Sequence, residues 1–164
     1  MSTDLKLHIN DQLLEVNEEL VLYLTEQIYS KKLRDKSIKL TSPTKTKQFI
    51  QKQGFTDKGY KALILDNQHH VLCIHEIEVS EADVHSMDMR PLVEKLLTEN
   101  GNAVILLSCQ PNTDCASVST DTDLKLANHI RNKLNLIDCR VLDCIIASSD
   151  DIHSLAERGL FSVH

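Results

Sequence analysis

Apolar residues recur along this chain in blocks whose spacing shifts from helical to strand-like and back. Between Asn17 and Leu33, the residues Leu20, Val21, Leu24, Ile28 and Leu33 fall near helical spacing, with Asn17 placed to cap the segment. Ser42-Pro43 reads as an N-cap followed by proline at the first helical position, opening a helix that runs to about Gln53 and stops at Gly54. Tyr60 to Leu65 reads as a buried strand, Asp66 to His69 as a turn, and His70 to Val79 as the hairpin partner. The alternation in that partner is imperfect through Val71, Cys73, Glu76 and Val79.

Arg90-Pro91 opens a helix through Leu97, closed by Asn100-Gly101. The apolar run from Ala103 to Leu107 has the look of a central strand, followed by a polar loop from Ser108 to Thr122. Asp123 to Leu134 carries the strongest helical pattern, with Leu124, Ala127, Ile130 and Leu134 on one face and Asn135 suited to a left-handed exit. Cys139 to Ala147 reads as another strand, Ser148 to Asp151 as a turn and Ile152 to Leu155 as a last short strand. The order predicts an α/β sandwich built on a mixed sheet.

A chain of 164 residues fits one domain with a sizeable core, and the scarcity of aromatics leaves that core to Leu, Ile and Val. The formal charge of −6 lacks the basic balance of a phosphate-binding surface, so nucleic acid is not the expected partner. The richest basic stretch, Lys31 to Lys52, reads as a solvated helix face and loop. Cys73, Cys109, Cys115, Cys139 and Cys144 form an odd set without a CxxC pair, which suits a reduced, cytoplasmic protein. No signal-peptide pattern opens the chain, and no apolar stretch approaches the length of a membrane span, so no membrane association is expected.

Four segments carry a resemblance. "LTSPTKTKQFI" resembles the Ser-Pro-initiated helix of the RadC-like JAB/MPN (JAMM) domain family, and "YKALILDNQHHVLCIHEI" resembles its hairpin. "MRPLVEKLLTENGNAVILL" is similar to that family's next helix and strand, and "LIDCRVLDCIIASSDDIHSLAERGL" is similar to its closing segment. The resemblance spans about Leu40 to Leu160 and implies a cytidine-deaminase-like JAB/MPN α/β sandwich with an additional N-terminal helix. The expected division is an N-terminal helical extension over 1–36 and the RadC-like domain over 37–164.

Active members of such a family hold zinc through the pattern HxHPxGxxxPSxxD, with a glutamate as general base and an open position for water. Here the two histidine positions are Ser108 and Gln110, while Pro111 remains and Thr113 replaces the glycine. The aspartate falls at Asp121 or, with two extra loop residues and Thr120 at the serine position, at Asp123, which also begins the predicted helix. Without a metal, Asp123 reads as the N-cap of that helix. The glutamate falls near Lys58, which cannot serve as a carboxylate base.

Other residues were candidates to rebuild a site. His69 and His75 would share a strand face ~20 Å apart, too far for one ion, while Cys73 and His75 are close enough for half a site. Cys109, Cys115 and Asp123, near Asp114, make a chemically reasonable zinc set, although the resemblance, in which the middle residue of HxH points away from the metal, implies that Cys109 faces away from the ligand side. Cys109, with His129 on the next helix, is also the candidate thiol nucleophile, and Cys144 reads as a core residue. The expected function is a catalytically inactive RadC-like domain without a cofactor, acting through protein partners or self-association. The alternatives are a zinc-dependent metallopeptidase with a rebuilt site and a DNA-repair-associated accessory protein.

Overall fold

The computed structural model describes residues 6–9, 12–15, 18–34, 38–79, 83–114, 118 and 120–162. In chain order the elements are β1 (Lys6–Ile9), β2 (Gln12–Glu15), α1 (Glu18–Arg34), α2 (Pro43–Gln53), β3 (Gly59–Leu65) and β4 (Val71–Ile77). They continue with α3 (Arg90–Glu99), β5 (Ala103–Gln110), α4 (Asp121–Leu134), β6 (Arg140–Ser148) and β7 (Ile152–Ser154). Short 3-10 turns lie at Val84–Ser86 and Asn135–Ile137. Strands β1 and β2 form their own antiparallel hairpin, which the sequence pattern does not announce.

The other five strands form one sheet in the order β4-β3-β5-β6-β7. β5 and β6 run parallel and every other neighbouring pair is antiparallel, giving the mixed sheet that the element order predicts. β5 is buried from Ala103 through Cys109 because both faces of the sheet are covered. Its alternating residues divide the interior into two cores. Val104 and Leu106 pack with Leu92 and Leu96 of α3 and with Leu126, Ile130 and Leu134 of α4. Ala103, Ile105, Leu107 and Cys109 pack on the opposite face with Phe49 and Ile50 of α2. Each fully buried Leu or Ile contributes roughly 1.5–3 kcal/mol of transfer free energy, so these two layers dominate the stability of the sandwich.

Local signals set the helix ends. The Ser42 hydroxyl accepts from the Lys45 N–H at 3.3 Å ahead of Pro43, and Gly54 closes α2 in the left-handed region at φ 60°. Asn100 closes α3 at φ 56°, and the Gly101 N–H reaches back to the Leu96 carbonyl at 2.8 Å. Gly101 has no room for a side chain, since an added Cβ would sit 2.5 Å from Ile64 Cγ2.

Several boundaries differ from the sequence expectation. β5 runs past Leu107 and takes Ser108, Cys109 and Gln110 out of the expected loop. The neighbouring strand supplies the reason: Cys109 pairs with Ala147 and Gln110 with Ser148, so ladder partners outweigh polar composition. Asn135 is right-handed and begins a 3-10 turn, and Asp138 at φ 53° makes the left-handed exit instead. The imperfect alternation of β4 comes from a register shift opposite Ile64 and Leu65, which leaves Leu72 as the extra residue. The expected cap Asn17 lies outside the described residues.

Helix α1 packs beside the edge strand β4 and leaves Val21, Leu22, Tyr23 and Ile28 exposed. Among the described residues, no helix is long and apolar enough to cross a membrane.

Candidate functional site

Past Leu107 the alternation of β5 sends Cys109 to the α2 face and Ser108 and Gln110 to the α4 face, where α4 presents Asp123. The Gln110 amide Nε2 donates to Ser108 Oγ at 3.2 Å and to Asp123 Oδ2 at 3.3 Å. A carboxylate only accepts, so it is the NH₂ end of the amide that faces Asp123. Ser108 and Asp123 are only 2% and 1% exposed, so the link is buried at both its ends while Gln110 between them is half-buried.

Asp123 is not the helix cap. α4 begins two residues earlier with Asp121, and Thr120 occupies the cap position without a side-chain bond. Asp123 is the third helical residue, where its charge still favours the positive end of the helix dipole while its carboxylate reaches across to β5. Asp121, the other aspartate in register, is exposed.

Beneath this link lies a cavity of about 10 Å³, bordered by Tyr60, Ile77, Ser108, Asp123, Leu126 and Cys144. That is space for about one water and for no substrate. Burial, and next the Asp123 and Asp143 carboxylates, hold the Cys144 thiol well above its ordinary range.

Asp143 on β6 was part of the recognisable closing segment, but its role was not legible there. Its carboxylate accepts from the Ser154 hydroxyl and from the N–H groups of Cys144 and Ala156, tying β6 to β7 and the turn beyond. Burial raises its pKa despite these bonds.

The remaining candidates are dispersed. Lys58 lies exposed just ahead of β3. Cys109 is buried with Phe49 and Ile50, across the sheet from Asp123, and burial pushes its pKa up to about 11. A thiol so disfavoured as thiolate is a poor nucleophile and a poor ligand. Cys115 lies outside the described residues, and Asp114 is exposed. His129 faces His85. His69 sits in the β3–β4 turn at φ 66°, His70 pairs with Asp66 at 3.0 Å, and Cys73 is buried in the α3/α4 core. Burial, then the Lys95 charge, lowers the pKa of His75. Among the described residues, no three His, Cys, Asp or Glu side chains converge to hold a metal ion.

The family model of the RadC-like JAB domain matches residues 40–160, which include the strand and the helix of this link. The chain belongs to the RadC-like JAB domain family. Among relatives, it is 35% identical over 123 residues to a UPF0758 protein of Tolumonas auensis, covering 73% of this chain and 54% of that protein. It is 30% identical over 122 residues to a UPF0758 protein of Legionella pneumophila (strain Lens), covering 73% and 53%. A UPF0758 protein of Thioalkalivibrio sulfidiphilus is 32% identical over 123 residues, covering 74% and 54%. The chain therefore spans about half the length of the curated relatives it matches.

The metal that the resemblance implies does not fit this RadC-like JAB domain. Where that resemblance places two imidazoles and a carboxylate, the chain presents a hydroxyl, a carboxamide and one carboxylate. The amide also directs its N–H groups, not its oxygen, at both neighbours. The amide N–H instead gives the carboxylate a neutral hydrogen-bond donor.

Proposed function

We propose that this RadC-like JAB domain carries no catalytic metal and acts as a protein-interaction or scaffold module. The observation that carries the reading is the Gln110 amide bridging Ser108 and Asp123, which ties strand to helix with hydrogen bonds among the chain's own side chains. The cavity of about 10 Å³ beneath it supports the same reading, because a hydrolase needs room for water and substrate together. Cys109, the thiol of the rebuilt-site alternative, faces the other side of the sheet.

The domain boundary follows the same proposal: an N-terminal extension over 1–36 and the JAB domain over 37–164. The exposed Val21, Leu22, Tyr23 and Ile28 of α1 are the apolar surface offered to a partner or a second copy. The free thiols Cys73, Cys109, Cys139 and Cys144 suit a reduced, cytoplasmic setting.

Metal analysis of protein purified without chelators tests the inactive reading. The expected result is that Asp123→Ala leaves zinc content unchanged and that added zinc brings no peptidase activity. Stoichiometric zinc that disappears in Asp123→Ala would overturn it. As a positive control, Ser108→His combined with Gln110→His restores the missing imidazoles and is expected to gain a zinc ion that depends on Asp123.

A further inference from the structure

We propose that His85 and His129 form a surface site for a zinc-class divalent transition-metal ion, separate from the Gln110–Asp123 link. Their Nδ1 atoms lie 3.3 Å apart and their ring centroids 5.1 Å apart, with the rings inclined at 81°. Two imidazoles on a tetrahedral zinc at its usual bond length place the donor nitrogens ~3.3–3.4 Å apart and the centroids about 5.2 Å apart. A straight N–H···N bond with the same nitrogen spacing would separate the centroids by about 5.6 Å. The observed spacing matches that of two ligands of one ion.

The backbone of each histidine is anchored beside a buried neighbour. His85 lies in the 3-10 turn beside buried Val84, and the Asp83 carboxylate accepts the His85 N–H at 3.0 Å. His129 lies between Asn128 and the fully buried Ile130 on α4. The turn and the helix pack against each other, so the site joins two elements whose spacing is already set. An imidazole must be neutral at the nitrogen that ligates. The Asp83 carboxylate beside His85 adds negative charge near a bound cation.

Two protein donors leave the other positions of the ion to water, which sets the affinity below that of a closed structural site. Imidazole donors select zinc-class ions over magnesium or calcium, which prefer oxygen. The probe is Zn²⁺ alone, titrated into the full chain at neutral pH and followed by calorimetry and by the histidine ring resonances. The expected result is one ion per chain, with the His85 and His129 rings shifting together. His85→Ala and His129→Gln should each weaken binding roughly tenfold or more. A His69→Ala/His70→Ala variant and Asp123→Ala should bind as the natural chain does. Undiminished binding in His85→Ala/His129→Gln, loss of binding in Asp123→Ala, or an equal response to Mg²⁺ would each overturn the proposal.

Discussion

Replacing Gln110 by alanine removes the amide that reaches Ser108 Oγ at 3.2 Å and Asp123 Oδ2 at 3.3 Å. A hydrogen bond to a charged group contributes ~1.5–3 kcal/mol. Both bonds are at the long end of the N–H···O range and Gln110 is only half-buried, so we expect a loss of about 1.5 kcal/mol. Asp123→Ala loses the same bond and other contacts of the carboxylate, yet also removes the penalty of burying a group that is 1% exposed. Its expected loss is about 1–2 kcal/mol. The two changes act on one interaction, so the double variant should fall short of their sum by about 1 kcal/mol.

Urea unfolding in the presence of chelator measures all four proteins without any contribution from bound ions. For a chain of this size each kcal/mol also corresponds to roughly 2–4 °C in Tm. Losses that add within ~0.3 kcal/mol would show that the amide and the carboxylate do not act as a pair, and would refute the reasoning.

Gly101→Ala brings a methyl group to 2.5 Å from Ile64 Cγ2 and 3.0 Å from Leu96 Cδ2, and neither neighbour has space to retreat. It should lower stability by ~1–3 kcal/mol in urea titrations, and an unchanged midpoint would contradict the close packing. Asp143 is an acid whose pKa is raised on folding, chiefly by burial. Its favourable contribution is complete below the unfolded aspartate value near ~3.9 and is lost as pH rises through the folded value. Asp143→Asn should therefore gain stability relative to the natural chain as pH increases through that window, and parallel pH profiles would count against it. Burial pushes Cys109 and Cys139 up to about 11, so both thiols should resist a thiol reagent near neutral pH in the folded chain and react in urea. Fast native labelling of Cys109 would reopen its candidacy as a nucleophile.

The sandwich was legible because its signals are local and redundant. Ser42-Pro43, Gly54 and Asn100 each mark a helix end by their own chemistry, and the alternation of β5 sorts its residues between two cores. What stayed hidden depends on partners distant in sequence. Ser108 to Gln110 look like loop until β6 supplies a ladder for them. Leu72 looks like a lapse in alternation until its pairing with β3 is known. The site divides in the same way. Ser108, Gln110 and Asp123 stood out by position, but the Gln110 bond could not be read, and the position of Asp123 inside α4 overrode its reading as a cap. His85 and His129 are 44 residues apart, and no spacing rule joins them.

The placement of β5 also bears on the speed of assembly. β3 and β4 form a hairpin around a short turn, as do β6 and β7, but the parallel pairing of Ala103 with Arg140 must close a long crossover through α4. Gln110 and Asp123 are 13 residues apart, so their bond closes the first part of that crossover before the strands meet. On this view the amide bridge belongs to the folding nucleus. Chevron measurements on Gln110→Ala should then place most of its loss in a slower folding rate, with the unfolding rate little changed.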